Sequence, residues 1–340
     1  MSCLRIWSTG LAALLLSTGL AACSGGSDKV VNIYSSRHYN QDDELYKAFT
    51  DKTGIQVNVI EGKDAELIER IQSEGANSPA DVLITVDAGR LWQAESKGLF
   101  QSVQSSVLTA GLPDDLRDPD GRWFGFARRA RVIIYNKAKV QPSQLSTYQA
   151  LANPEWRGKL CMRSSDNIYN QSLVAATIAT QGEAATEEWI KGLTANFARP
   201  PQGNDTAQIK AVAEGVCDVA VVNHYYVARL LESKEASDRE IASKVGVFFP
   251  RPTHVNVSGA GVATNAPHKE NAVAFLEFLA SPDGQRYFTQ GTYEYPAKAN
   301  TAEDAVVQSF GPFEAAPVNV DVYGANNAEA VKIMDRAGWR

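Results

Sequence analysis

The sequence predicts an α/β protein of two domains, and three observations carry that prediction. Short β-branched segments alternate with amphipathic ones in a repeated β-α-β order, the pattern that builds a mostly parallel sheet. The length of 340 residues favours two domains over one. A hydrophobic fraction of 44% allows a large buried core. The net charge of -6, with no long basic run, excludes a nucleic-acid binder, because such proteins gather Lys and Arg into a phosphate-facing patch.

The first 23 residues read as a targeting segment: Arg5, an apolar stretch from Leu11 to Leu16, then Leu20-Ala21-Ala22-Cys23. The apolar part is too short for a membrane span of about 20 residues. The closing tetrapeptide is similar to the bacterial lipoprotein signal, in which the Cys is lipidated and becomes the mature N-terminus. Residues 24–29 then form a flexible tether. A plain cleaved secretory signal is the alternative, and export is expected in both cases. Outside the signal and Cys23, the only cysteines are Cys161 and Cys217. An oxidising compartment allows a disulfide between them, with two free buried thiols as the alternative.

Taken in order, Val30 to Tyr34 is a strand, and Ser35 to Gln41 a polar loop containing His38 and Tyr39. Asp42 to Lys52 is a helix with acidic residues in its first turn and Gly54 at its end. Ile55 to Ile60 is a strand, Ala65 to Ser73 a helix with Leu67, Ile68 and Ile71 on one face, and Ala80 to Val86 a strand followed by a helix to about Lys97. Arg122 to Phe126 and Arg131 to Tyr135 read as two strands, and Ala127 to Ala130 between them as the first crossing between domains.

Leu145 to Ala152 is expected to be helical, and the strand Lys159 to Arg163 opens a second β-α series. Ser164 to Asn167 carries cap chemistry, so Tyr169 falls at the start of the next helix. Glu187 to Phe197 and Thr206 to Glu214 are amphipathic helices. Val219 to Val222 is a buried strand that runs into Asn223-His224-Tyr225-Tyr226, with a helix from Val227 to Ser233. Val245 to Phe249 and His254 to Val262 are strands returning the chain to the first domain. Asn271 to Ala280, Asp283 to Gln290 and Ala328 to Ala337 are helices, and Tyr293 to Pro296 an extended loop.

Tyrosine therefore recurs at three strand ends: Tyr39 beside His38, Tyr169, and the pair Tyr225 and Tyr226. Ligands of α/β sheets sit beyond the carboxyl ends of strands, and clefts between domains are preferred sites. A free phenol ionises near pH 10, so four buried phenolates need a strong cation at neutral pH. Phenolate is a hard anionic donor and suits Fe(III) better than zinc or copper, which prefer thiolate and imidazole, or calcium and magnesium, which take carboxylates and carbonyls. Packing or surface tyrosines are the bland alternative for any one of these positions. For Tyr225 and Tyr226 the sequence sets a condition. Neighbouring residues of a strand face opposite ways, so both phenols reach one ion only if the strand has ended by Tyr225.

Tyr34-Ser35-Ser36-Arg37-His38-Tyr39, Ser78-Pro79-Ala80-Asp81-Val82, Arg128-Arg129-Ala130-Arg131-Val132, Asn167-Ile168-Tyr169-Asn170-Gln171 and Val222-Asn223-His224-Tyr225-Tyr226 together resemble the periplasmic ferric-iron-binding proteins of ABC importers, in particular their tyrosine-rich, cyanobacterial-type subgroup. The resemblance covers essentially the whole mature chain. It implies a two-lobe, transferrin-like periplasmic-binding-protein fold, with two mixed, mostly parallel sheets joined by crossing hinge strands. The lobes implied are 30–130 with 255–306 and 131–254 with 307–340. Tyr39, Tyr169, Tyr225 and Tyr226 match the subgroup's ligands, and His38 matches a histidine that coordinates in some members. The branch of the family with a Glu ligand is not matched, since that position falls near Val86 and Asp87. Arg129 is similar to the family's supporting arginine, with Arg128, Arg37 and Arg229 as candidates for the same role. His224 is expected to point away.

The function implied is capture of Fe(III) as cargo and delivery to a permease and its ATPase, by a monomeric periplasmic protein held at the membrane only through lipid on Cys23. An organic or oxyanion solute binder on the same fold is the alternative. A tyrosine-ligated iron enzyme is a further one, disfavoured because four anionic ligands leave little room for a substrate and no nucleophile elbow, phosphate loop or His-Glu-x-x-His motif is present.

Overall fold

The computed structural model describes residues 29–37, 39, 41–298, 301–316 and 321–340. The expected signal, residues 24–28 of the tether, and His38 lie outside the described residues. The strands among the described residues are β1 (Val30–Ser35), β2 (Gln56–Glu61), β3 (Val82–Thr85), β4 (Phe124–Asn136), β5 (Leu160–Cys161), β6 (Val219–Asn223), β7 (Val245–Phe248), β8 (Val255–Val262) and β9 (Tyr295–Pro296). Before β4 stand the helices α1 (Asp42–Thr53), α2 (Asp64–Glu74), α3 (Ala88–Ser96) and α4 (Ser106–Gly111). Between β5 and β8 stand α5 (Ile168–Gln181), α6 (Glu183–Ala195), α7 (Asp205–Ala213), α8 (His224–Leu231) and α9 (Ala236–Ser243). After the return come α10 (Lys269–Ala280), α11 (Pro282–Arg286), α12 (Ala305–Ser309), α13 (Asp321–Ala325) and α14 (Asn327–Arg336).

The expected α1 closes where glycine requires it: Gly54 has φ 72° and its N–H donates to Thr50 O, a left-handed end that a Cβ disfavours. The first sheet runs β2-β1-β3-β8-β4, the second is built on β4 with β6, β5 and β7. The expectation of mixed sheets holds, but not that they are mostly parallel. Three pairings are parallel, β1 with β2, β1 with β3 and β5 with β6. Five are antiparallel, and all but one of those five involve β4.

The two strands expected on either side of residues 127–130 are one continuous strand of 13 residues. Its last pairing with β8 is Ala130 to Val255 and its first with β6 is Arg131 to Asn223, so one strand serves both sheets. From Arg128 onward its residues alternate between two faces. Val132 and Ile134 join one core with Ala220, Val222 and Tyr295, while Ile133 joins another with Val219, Val221, Leu173 and Trp339. Burial on both faces explains the unbroken apolar runs of β4 and β6.

The helix expected over 145–152 is absent. Short 3-10 turns stand at Pro142–Gln144, Gln149–Ala152 and Pro154–Trp156. Trp189 Nε1 takes the Tyr148 carbonyl at 3.0 Å, and prolines bracket the segment. The helix expected over 283–290 stops at Arg286 and passes into a π-turn, Tyr287–Gly291. Cys161 and Cys217 are joined in a disulfide with Cα atoms 5.8 Å apart, tying β5 to the segment before β6.

Candidate metal centre

The strand β6 ends at Asn223, and α8 begins at His224, three residues earlier than the helix expected from Val227. Tyr225 and Tyr226 therefore lie on a first helical turn and share a side: their rings stack at 4.4 Å between centroids, 29° apart. Tyr169 is likewise on the first turn of α5, and its hydroxyl lies 3.5 Å from that of Tyr225. Tyr39, three residues before α1, meets the Tyr225 ring edge-on at 6.2 Å. Tyr39, Tyr169 and Tyr225 are buried, 5%, 6% and 0% exposed. Helix N-termini favour negative charge, so the phenols of Tyr169, Tyr225 and Tyr226 sit where phenolate is stabilised.

Arginines surround the rings. The Arg229 guanidinium carbon stands 4.2 Å from the Tyr39 ring centre, 4.8 Å from Tyr225 and 5.6 Å from Tyr226. Arg37 lies 4.6 Å from the Tyr39 ring and Arg129 5.3 Å from that of Tyr169. Among the described residues, Arg129 Nε and Nη1 and Arg229 Nη2 are buried without a hydrogen-bond partner. Buried guanidinium donors in this state favour negative charge on the neighbouring groups.

Arg128 differs from its expectation. Its Nε donates to Pro296 O at 3.1 Å, and it borders a separate cavity with Tyr295 and Phe313. The pleat of β4 turns Arg129 and Arg131 toward the tyrosines and Arg128 the other way. Arg131, not singled out in the sequence, takes the place: its guanidinium lies 5.8 Å from the Tyr169 ring.

Two buried carboxylates, also not anticipated, hold these arginines. Asp205, at the start of α7, accepts from Arg131 Nη1 at 2.8 Å, Arg163 Nη1 at 3.1 Å and the Asn223 N–H at 2.8 Å. Arg131 Nη2 in turn donates to Asn170 Oδ1 at 2.8 Å. One acid thus links the end of β6 to the residue after Tyr169. Glu294 accepts from Arg37 Nη1 at 3.0 Å, Ser258 Oγ at 2.9 Å and Thr292 Oγ1 at 3.0 Å, with Arg129 Nε at 3.7 Å.

These charges set the acidities. Burial and then mutual repulsion hold the phenols of Tyr39, Tyr169 and Tyr226 well above their ordinary value. Burial raises Tyr225 too, but Arg129 and Arg229 outweigh it and leave this phenol below the ordinary value. Tyr225 is the phenol prepared to lose its proton first. His224 points away from the rings' hydroxyls: the Ala130 N–H donates to Nδ1 at 3.2 Å, and Nε2–H donates to Tyr293 O at 3.0 Å. Burial pushes it down to about 4, so it is neutral near pH 7.

Among the described residues, no three or more His, Cys, Asp and Glu side chains gather as a metal cluster. Asp87, at the position where a Glu ligand is not matched, is turned elsewhere. It accepts from Ser172 Oγ at 2.8 Å, Asn256 Nδ2 at 2.6 Å and Gly89 N at 2.8 Å. Beside the phenols, a cavity of about 610 Å³ opens between Ser36, Arg37 and Asp64 on one side and Arg163, Tyr169 and Tyr226 on the other.

The model of bacterial extracellular solute-binding proteins matches residues 44–315. The chain is 56% identical over 319 residues to iron uptake protein A1 of Synechocystis sp., covering 93% of this chain and 89% of that one. It is 31% identical over 342 residues to an Fe(3+)-binding periplasmic protein of Serratia marcescens, covering 98% and 99%. Among solved structures, a Trichodesmium FutA protein in complex with iron and citrate superposes with a TM-score of 0.88 at 56% identity, covering 92% of this chain and 100% of that one. The chain belongs to the bacterial extracellular solute-binding proteins, in the family of the Synechocystis iron uptake proteins.

Proposed function

We propose that this protein is the substrate-binding component of a ferric iron ABC importer, holding Fe(III) in the cleft between its lobes and delivering it to the permease and ATPase. The observation that carries the reading is the convergence of Tyr39, Tyr169, Tyr225 and Tyr226, with Tyr225 acidified between Arg129 and Arg229. Four phenolates and one Fe(III) leave a single negative charge, which the surrounding guanidiniums stabilise. The reading is a binding role without catalysis, in keeping with relatives named for iron uptake and iron binding.

The finer assignments belong to the same proposal. His38, beside Tyr39, is the candidate fifth donor. The lobes divide as 30–130 with 255–306 and 131–254 with 307–340, a division supported by the change of β4's partner between Ala130 and Arg131. The protein works as a periplasmic monomer tethered by lipid on Cys23. The cavity beside the phenols offers Arg37 and Arg163 to a small carboxylate next to the metal, and the Trichodesmium relative was solved with citrate as well as iron.

Loading purified protein with ferric iron tests the reading. A visible phenolate-to-iron charge-transfer band and about one iron per chain by elemental analysis are expected. Colourless protein without iron sinks the proposal and leaves the organic or oxyanion solute as the alternative.

A further inference from the structure

Glu294 is fully buried and bound on both oxygens, and the backbone is strained to place it. Tyr293, the residue before it, has φ 61° and is the one non-glycine residue with positive φ among the described residues. Such a conformation costs energy and persists only where its surroundings enforce it. Here two bonds hold it: Glu294 N–H donates to Phe288 O at 3.1 Å, and His224 Nε2–H, from the residue immediately before Tyr225, donates to Tyr293 O at 3.0 Å. The helix that carries two of the phenols therefore also holds Glu294 inward.

What the carboxylate does follows from charge. Within reach of the four rings, among the described residues, stand five guanidiniums: Arg37, Arg129, Arg131, Arg163 and Arg229. Three carboxylates answer them, Asp42 on Arg37, Asp205 on Arg131 and Arg163, and Glu294 on Arg37 and Arg129. Of the three, Glu294 is the one that meets both Arg37, beside the Tyr39 ring, and Arg129, beside the Tyr169 ring.

We propose that Glu294 is a specificity-determining residue that biases the site toward ferric over ferrous iron, an inference that rests on the iron-binding role given above. An iron held by four phenolates carries net charge -1 as Fe(III) and -2 as Fe(II). A fixed negative charge nearby repels the second state about twice as strongly, because Coulomb energy scales with the product of the charges. The step is the gain of one electron by the iron. No proton moves at Glu294, and in the test the electron comes from an electrode. Glu294 acts through the field, so its charge matters and its ability to coordinate does not.

The test is the midpoint potential of the bound iron at fixed pH, followed by the phenolate band in the full-length protein. Glu294→Gln is expected to keep the band and raise the potential, lowering the ratio of ferric to ferrous affinity by roughly tenfold or more. Glu294→Asp, which keeps the charge, should return it toward the wild-type value. Glu294→Gln also leaves Arg37 short of a partner, so the double variant Arg37→Gln with Glu294→Gln removes a positive and a negative charge together. It should lie closer to wild type than the single variant does or, where the single variant holds no iron, close to wild type. A band that survives in Glu294→Gln with an unmoved or lowered potential overturns the inference, as does a double variant whose potential rises as far as one lost charge predicts. Failure of the wild type to take up iron sinks the iron-binding role instead, which keeps the two failures apart.

Discussion

The hydroxyls of Tyr225 and Tyr169 stand 3.5 Å apart, although 56 positions separate the residues and each lies on the first turn of a different helix. That proximity is unfavourable for two phenolates without a cation between them, and the arginines around the rings only partly relieve it.

Removing the phenol prepared to ionise first should cost the most. Tyr225→Phe is expected to weaken ferric iron binding by more than about 100-fold, beyond the 10- to 100-fold typical of outer-shell changes at metal sites. Tyr39→Phe, Tyr169→Phe and Tyr226→Phe should each weaken the charge-transfer band less. Competition against a chelator, read by that band, gives the order.

Arg229→Gln removes one of the two guanidiniums that lower the pKa of Tyr225. The phenol then holds its proton more tightly, and protons compete with iron for it. Iron should leave the variant at a higher pH than it leaves the wild type during acid titration.

Asp205 compensates Arg131 and Arg163 in a buried network. Asp205→Ala leaves the fully buried Arg131 charge uncompensated, for which a loss of roughly 3 to 5 kcal/mol is expected. Urea unfolding of the iron-free protein measures it. A loss below about 1 kcal/mol would show that water or another acid replaces the carboxylate.

Two buried histidines make stability depend on pH. Burial lowers His224 to about 4 and His254 to about 3 from an ordinary 6.5. The unfolded chain takes up these protons at higher pH than the folded one does. Their contribution to stability is therefore complete above about pH 6.5 and is lost as the pH falls toward 4 and then 3. For His224 the loss is of the order of 3 kcal/mol, at about 1.4 kcal/mol per unit. Unfolding midpoints of wild type and His224→Gln should differ more at pH 7 than at pH 4.5.

The bond between Cys161 and Cys217 closes a loop of 56 residues. On the chain-entropy account it contributes about 4 kcal/mol, and reduction or the double change to Ala should lower the unfolding free energy of the iron-free protein by that order.

Local chemistry explains what was legible in the sequence. Gly54 ends α1 because its left-handed φ requires glycine, and the tyrosines were visible because they recur at strand ends. The strand β4 read as two because Arg128 and Arg129 look like a solvated connection between apolar runs. The burial of Arg129 and Arg131 depends on Glu294 and Asp205, 165 residues from Arg129 and 74 from Arg131, and no local pattern announces partners at that range. The helix expected over 145–152 failed for a similar reason, since Trp189 captures the Tyr148 carbonyl from a distant element.

The alternation along β4 carries a consequence for how this protein can vary. Arg129 and Arg131 face the tyrosines because both positions share one parity of a strand that also crosses between the sheets. A single-residue insertion or deletion between Arg129 and the end of the strand would swap the side chains beyond it between the two cores at once. Natural variation in length should therefore collect elsewhere, and β4 should change by substitution alone.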